Sequence, residues 1–219
     1  MITIKHLFLT FTKEFDALHD INLEVADGEK IALVGEADSG KTMLLRVLAK
    51  LENFKKGEVY IKNIDIKKIN FKQDCSVGFV PKSFVFFESK TLKYNLEYIL
   101  KSRNYDPASI NLKVLTALKQ FDLESLAEVK VKDLSPFQKI LAELARVSMR
   151  RIDLFLIDDV CSLVYGKEQQ KVIEKLAELI YTNQQSTFVF AFVNQQIANQ
   201  LGLKVVNLKY GEIVSKQQN

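Results

Sequence analysis

The sequence predicts a single α/β domain, and three observations support that prediction. The apolar run Ile31–Val34 has the composition of a buried strand, and it leads into a glycine-containing turn and a helix-like segment. Alternating apolar residues ahead of this run indicate antiparallel strands, whereas residues from about 83 to 150 have helical periodicity. With 219 residues, of which 47% are hydrophobic, the chain can form its own core. We therefore expect one domain over residues 1–219, with an antiparallel N-terminal subdomain and an inserted helical subdomain.

The N-terminal elements are expected to be antiparallel strands. Residues 1–11 alternate between apolar and polar side chains, as a half-buried strand does, and residues 17–25 have strand composition as well. Asp27 and Gly28 then form a dipeptide that is typical of a hairpin turn. We therefore expect residues 29–34 to fold back on the preceding strand.

The turn that follows is the strongest motif in the chain. Gly35–Thr42 fits the phosphate-binding pattern G-x-x-x-x-G-K-[ST], and it lies between a strand and a helix, which is the context that the motif requires. Backbone N–H groups of such a loop bind phosphate, Lys41 adds positive charge at the β- and γ-phosphates, and Thr42 offers a hydroxyl to Mg²⁺. Glu36 and Asp38 add like charge beside the phosphates, which lowers the expected affinity. The alternative is a plain glycine turn with a surface lysine. The candidate nucleotide-binding residues are Gly35, Glu36, Ala37, Asp38, Ser39, Gly40, Lys41, Thr42 and Met43.

The remaining elements follow in chain order. The expected elements before residue 83 are a helix from Gly40 to about Leu51 and strands at 57–62 and 76–80. Two apolar faces predict helices between 83 and 150, one formed by Leu92, Leu96, Ile99 and Leu100, the other by Ile110, Val114, Leu115, Leu118 and Phe121. The later elements are a buried strand at 154–157, a helix around 172–180, a last central strand at 188–193, a closing hairpin of 205–208 and 212–214, and a frayed tail at 217–219.

Composition narrows the class of protein. The net charge of +4 is too small to indicate a nucleic-acid-binding protein. The dense lysines between residues 50 and 82 fit a solvated face, with contact to anionic lipid or an acidic partner as the alternative. Cys75 and Cys161 match no metal or redox spacing, which favours a reducing cytoplasmic compartment. Because no apolar run approaches a membrane span and no signal peptide is evident, we expect a soluble chain that reaches a membrane only through a partner.

Beyond the phosphate motif, three segments carry a resemblance to a known family. Residues 18–25, 57–61 and 206–214 resemble the corresponding parts of the ATP-binding subunits of ABC transporters, and the similarity extends over nearly the whole chain. The resemblance implies binding of ATP and Mg²⁺ and a head-to-tail dimer with a second nucleotide-binding subunit. In that dimer each ATP lies between the phosphate loop of one chain and the signature motif of the other. It further implies a transmembrane permease-type partner, which would hold the chain at the inner face of the cell membrane.

The resemblance also assigns roles outside the phosphate loop. Phe11 falls where the family places an aromatic ring against adenine, although a core phenylalanine at a strand end fits the position equally well. Leu156-Ile157-Asp158 matches the Walker B strand, so Asp158 is the expected Mg²⁺ ligand; the alternative is an aspartate that caps the next turn. Asp159 stands where the family has its catalytic glutamate, and it is our candidate catalytic residue.

Several family motifs are degenerate in this chain. Lys82 replaces the family's switch glutamine, and a charged lysine can neither accept a hydrogen bond nor bind Mg²⁺. No histidine follows the last central strand, where Asn194 stands, because the only histidines precede the phosphate loop. In the signature motif, Pro136 and Phe137 replace two glycines; Ser135 and Pro136 suit a helix start, but the proline removes an N–H that could face phosphate.

Three functions follow, from different classes. The first is an ABC-type subunit that couples ATP binding to a membrane-embedded transporter, with weak or absent hydrolysis. Its partner is expected to dock near residues 82–98, where Phe84, Phe86 and Phe87 are candidate contacts, with burial in the subdomain core as the alternative. The second is a regulatory pseudo-ATPase or scaffold that uses ATP as a structural ligand or a switch. The third is an unrelated P-loop kinase or transferase, which the Walker B strand and the closing hairpin disfavour.

Overall fold

The computed structural model describes the backbone of residues 1–12 and 15–214 and the side chains of residues 1–10 and 17–214. Its strands are β1 (Ile2–Thr12), β2 (Phe15–Val25), β3 (Lys30–Val34), β4 (Lys56–Ile61), β5 (Ile64–Asp65), β6 (Val77–Val80), β7 (Leu154–Asp158), β8 (Thr187–Phe192), β9 (Lys204–Lys209) and β10 (Glu212–Val214). Its α-helices are α1 (Lys41–Leu48), α2 (Leu92–Lys101), α3 (Pro107–Gln120), α4 (Pro136–Ser148), α5 (Gly166–Thr182) and α6 (Gln195–Gln200). The predicted tail at 217–219 lies outside the described residues.

The strands form two sheets. An antiparallel sheet of four strands has the order β2-β1-β4-β5, and a mixed sheet of six strands has the order β10-β9-β3-β8-β7-β6. Within the six-stranded sheet only β10 is antiparallel to its neighbour, and it forms the predicted closing hairpin with β9. The α/β class, the antiparallel subdomain and the helical parts expected from the sequence are therefore confirmed.

Two strand predictions are wrong. The turn at Asp27 and Gly28 does not pair β2 with β3, because β3 lies between β8 and β9 and runs parallel to both. The turn instead carries the chain from one sheet to the other. Residues 31–34 are buried, as is typical of a central parallel strand whose two faces are both covered. Likewise, β8 is not the last strand of the central sheet, since β9 also joins it beside β3.

Alternate residues of the central strands pack into two separate cores. Phe155, Phe188 and Phe190 point into a core shared with α2, α3, α4 and α5. Their neighbours Leu156 and Val189 point into a second core, shared with α1 and the antiparallel sheet. The phosphate loop, which joins β3 to α1, is thus connected to elements that are packed on both sides.

The region predicted to be helical contains α2, α3 and α4. Leu92, Leu96 and Leu100 are fully buried, as their spacing predicts. Leu115, which was assigned to the apolar face of α3, is instead 51% exposed, since that face is narrower than the sequence pattern suggests. Among the described residues, no helix is both long enough and apolar enough to cross a bilayer.

Candidate functional site

The loop between β3 and α1 has a tightly packed backbone. A Cβ atom at Gly35 would overlap the carbonyl oxygen of Leu208, and one at Gly40 would lie 2.8 Å from the carbonyl oxygen of Ala17. Gly40 also has a φ angle of +99°, a left-handed conformation that favours glycine. Both motif glycines are therefore required by the geometry of this loop.

Two cavities adjoin the loop; Ser39 lines both, and each of the other predicted nucleotide-binding residues between 35 and 43 lines one of them. A cavity of about 160 Å³ is lined by Ala17 and residues 38–43, at the start of α1. Residues 35–37 instead line a second cavity of about 340 Å³, together with residues 207–210. The contribution of Ala17 was missed from the sequence, because nothing in the pattern of β2 marks that residue. Phe11, the predicted adenine contact, is one of the residues whose side chains lie outside the described part of the chain.

Lys41 lies across the loop and is nearly buried, with 6% of its surface exposed. Its ammonium donates hydrogen bonds to the carbonyl oxygens of Gly35 and Glu36, at 2.8 and 2.6 Å, and to Ser39 Oγ at 2.8 Å. Burial lowers the pKa of Lys41, and the nearby carboxylates of Asp159 and Asp158 oppose that effect. These contacts hold a positive charge inside the loop. A phosphate oxygen bound there could accept hydrogen bonds from the N–H groups of the Lys41 ammonium, which has three donors.

Thr42 and Asp158 meet across 116 positions of sequence. The Thr42 hydroxyl donates to the Asp158 carboxylate, with its Oγ1 at 3.0 Å from Oδ1 and 3.1 Å from Oδ2. Burial raises the pKa of Asp158, whereas the hydrogen bond from Thr42 lowers it. Mg²⁺ prefers oxygen ligands and is usually held by one or two carboxylates together with substrate phosphates, so this oxygen pair fits Mg²⁺. In the described part of the chain no cluster of three or more His, Cys, Asp or Glu side chains could hold a metal by itself.

Asp159 is paired with Lys82, a contact that the sequence analysis did not anticipate. Lys82 Nζ lies 3.3 Å from Asp159 Oδ2, and the side chains are 47% and 6% exposed, respectively. Asp159 has a φ angle of +28°, and its backbone N–H donates to the carbonyl oxygen of Ala191 at 3.0 Å. Since β6 and β7 are parallel neighbours, the residues just beyond their carboxyl ends lie side by side. Lys82 and Asp159 thus form one ion pair at the ends of two neighbouring strands.

A buried glutamate on α4 holds the chain that follows Lys82. Glu143 is fully buried; its Oε1 accepts from the backbone N–H of Val85 at 3.1 Å and its Oε2 accepts from Arg146 Nε at 2.6 Å. Arg146 also donates to the carbonyl oxygen of Phe79 at 2.8 Å. Burial raises the pKa of Glu143, and the charge of Arg146 opposes that effect. An acid inside the apolar stripe of α4, with an arginine three positions later, was the sequence signal for this network, and we missed it.

The first turn of α4 is capped by side chains of its own residues and of the residue before it. Ser135 caps the helix, with its Oγ accepting from the backbone N–H of Gln138 at 3.2 Å, while Gln138 Oε1 accepts from the N–H of Ser135 at 2.9 Å. Pro136 takes the first helical position, as predicted. Phe137 is half-buried and packs against the core of the helical region. The bulk of this phenylalanine is therefore directed partly inward.

The position after β8 offers no catalytic imidazole. Asn194 caps α6, with its Oδ1 accepting from the backbone N–H of Gln196 at 2.8 Å. The two histidines, His6 and His19, belong to the antiparallel strands β1 and β2. A general base from histidine is therefore not supplied by the element that follows β8.

Comparison with known proteins shows which sequences this chain is similar to. The family described as "ABC transporter" matches residues 18–162. The sn-glycerol-3-phosphate import ATP-binding protein UgpC of Bartonella bacilliformis is 30% identical in an alignment 219 residues long, which covers 97% of this chain and 62% of that protein. The sulfate/thiosulfate import ATP-binding protein CysA of a Synechocystis species is 30% identical over 200 residues, 91% of this chain and 56% of that protein. The chain thus spans about three-fifths of the length of these relatives.

A solved structure has nearly the same fold. The ATP-binding cassette MJ0796, in a dimeric post-hydrolysis state bound to ADP and phosphate, superposes with a TM-score of 0.86 at 26% sequence identity. The match covers 98% of this chain and 97% of that chain. The similarity therefore extends across both sheets and the helical region.

Proposed function

This chain belongs to the ABC transporter family, and from that premise we propose that it is an ATP-binding subunit whose nucleotide binding is coupled to a membrane-embedded partner. The observation that supports ATP binding best is the position of Lys41 inside the loop, next to the Thr42–Asp158 pair. In this proposal residues 35–43 surround the phosphates, and Thr42 and Asp158 hold Mg²⁺. The metal would neutralise part of the charge on the β- and γ-phosphates.

Hydrolysis is proposed to be weak or absent. Asp159 is one methylene shorter than the glutamate it replaces, and a catalytic group displaced by ~1 Å can lose ~10²-fold in rate. The ion pair with Lys82, at 3.3 Å, also directs the carboxylate toward a cation rather than toward a water molecule. Asn194 adds no base, because its side chain is engaged in capping α6. The residues around the nucleotide site thus favour binding over turnover.

The partner is proposed to dock on an exposed aromatic cluster, which consists of Phe87, Tyr94 and Tyr98. These residues are 49%, 40% and 45% exposed, and the ring of Phe87 lies edge-on to both tyrosines. Asn95 is buried and hydrogen-bonded to both the N–H and the carbonyl oxygen of Phe87, which fixes the backbone under the cluster. Large aromatic side chains on a rigid support are typical of protein interfaces. Phe84 and Phe86, by contrast, pack partly against the core, so Phe87 is the strongest of the three predicted contacts. Docking there would hold the chain at the cytoplasmic face of the membrane.

The docking proposal predicts a specific loss of association. Phe87→Ala should reduce co-purification of multi-span membrane proteins from detergent-solubilised native membranes by roughly tenfold or more, because a central aromatic contact contributes over ~1–2 kcal/mol. Tyr181→Ala is the matched control, since Tyr181 is an aromatic residue of α5 that is 75% exposed and lies outside the cluster. Quantitative mass spectrometry of the captured proteins gives the comparison. Equal recovery with both variants would contradict docking at the aromatic cluster.

The second candidate function is a regulatory pseudo-ATPase. The Lys82–Asp159 ion pair favours it, since that pair occupies the catalytic position without supplying a free base. Measurement of phosphate release in the presence of the co-purified membrane partner separates the two functions. Turnover that depends on the partner supports a transport subunit, whereas ATP binding without any turnover supports a switch or scaffold.

A further inference from the structure

We propose that Lys82 supplies part of the positive charge that Mg²⁺ normally brings to a bound nucleotide, so that this chain binds ATP with little dependence on the metal. The inference deepens the proposed function and rests on it, because it concerns the same nucleotide site. It identifies the ligand as a nucleoside triphosphate that is accepted with or without a divalent cation.

The first support is the position of the ammonium. Lys82 Nζ lies 3.3 Å from Asp159, the residue directly after the proposed Mg²⁺ ligand Asp158. Thr42, which donates a hydrogen bond to Asp158 and directly follows Lys41, is the other proposed Mg²⁺ ligand, and the charges of Lys82 and Lys41 both act on Asp158. An ammonium beside Asp159 repels Mg²⁺ and attracts phosphate oxygens through the same charge.

The second support is the balance of charge. Coulombic interactions connect both Lys41 and Lys82 to Asp158, while Asp159, Asp158 and Asp38 all act on Lys41. The two ammonium groups therefore offset part of the carboxylate charge without a metal. A glutamine in place of Lys82, as in the family pattern, would leave one ammonium against the same carboxylates, and ATP binding would then depend more on a divalent cation.

The third support is the reach and donor capacity of Lys82. Its side chain is 47% exposed, so the four-carbon stem can move, whereas Asp159 is almost buried. An ammonium has three donors and no acceptor. One donor can stay with Asp159 while the others bind a phosphate oxygen, a contact that glutamine would make without charge.

The test is calorimetric titration with ATP, in Mg²⁺ and separately in EDTA. For the wild type we expect the two dissociation constants to differ by less than about threefold, since Lys82 supplies positive charge to the phosphates in either buffer. For Lys82→Gln the ratio of the dissociation constant in EDTA to that in Mg²⁺ should rise at least ~tenfold. Without the metal, the variant lacks a charge-assisted hydrogen bond to phosphate, and losing such a bond has roughly that effect on affinity. Lys82→Arg keeps the charge and should keep the wild-type ratio.

Lys93→Gln is the matched control. Lys93 is 38% exposed and forms an ion pair with Glu128 on the helical region, so its loss should leave the ratio unchanged. The inference would be overturned if the wild-type dissociation constant for ATP were more than about tenfold higher in EDTA than in Mg²⁺, and if Lys82→Gln left that ratio unchanged. An arginine variant that behaves like the glutamine variant would also overturn it, because charge would then not be the cause. Absence of ATP binding in both buffers would refute the nucleotide site itself, and this inference with it.

Discussion

Replacing Pro136 and Phe137 with glycine is expected to turn a monomer into a dimer that forms only with ATP. In the family's head-to-tail dimer, N–H groups at the start of the signature helix face the γ-phosphate of the other chain. Here Pro136 has no N–H, and the N–H of Gln138 donates to Ser135. Losing one charge-assisted hydrogen bond to phosphate costs roughly 1.5–3 kcal/mol, and two symmetric sites double that loss, to ~10²–10⁴ in the dimerisation constant.

Analytical ultracentrifugation with and without Mg·ATP measures this effect. Pro136→Gly alone is the cleaner variant, because Phe137 packs partly against the core and its removal also lowers stability. Asp159→Asn, added to the repaired chain, should strengthen the dimer by blocking residual turnover. Tight ATP-dependent dimerisation of the wild type would show that Pro136 and Phe137 do not obstruct the interface.

Joint replacement of Lys82 with glutamine and Asp159 with glutamate is expected to raise ATP hydrolysis by up to ~10²-fold, the factor that ~1 Å of misplacement can cost. Asp159→Glu alone should give only a partial gain, because the longer carboxylate would still lie beside the Lys82 ammonium. Lys82→Gln alone should also give little, since the aspartate remains too short. The effects of the two changes are therefore expected to be non-additive, as for any pair of residues in contact.

These rates are compared by measuring phosphate release from the purified wild type and its three variants. Each protein is measured with and without the membrane partner. The wild type should fall below the typical enzyme range of about 1–10³ s⁻¹. A wild type within that range would refute the proposal of weak hydrolysis. Equal gains from the single and double variants would show that the ion pair does not restrain Asp159.

Local sequence patterns predicted the parts of this fold whose geometry is set by neighbouring residues. The phosphate loop is one, because the glycines, the preceding strand and the following helix are contiguous in the chain. The start of α4 is another: Ser135 and Pro136 predicted a capped helix, and the structure has that cap. In both cases the contacts span only a few residues.

Strand pairing could not be read from local signals. Asp27 and Gly28 form a turn, but the turn does not determine which strand lies next to β3. Both faces of β3 are buried, and the strands that pair with it lie more than 150 residues further along the chain. The Lys82–Asp159 pair has the same origin, since it depends on the parallel pairing of β6 and β7. Glu143 was missed because its partner Val85 lies outside α4, as does Phe79, whose carbonyl oxygen accepts from Arg146.

The claim that this chain is an ATP-binding subunit is tested most directly by thermal or chemical unfolding in the presence of Mg·ATP. The wild type and Lys41→Ala are each titrated with Mg·ATP and then unfolded. Lys41 is the one charged side chain that the loop encloses with three hydrogen bonds. The wild type should gain about 2.7 kcal/mol of unfolding free energy at a ligand concentration of ~100 Kd, and Lys41→Ala should gain none. Lys101→Ala should behave like the wild type, because Lys101 pairs with Glu97 on α2. A wild type that saturating Mg·ATP leaves unchanged would contradict the account.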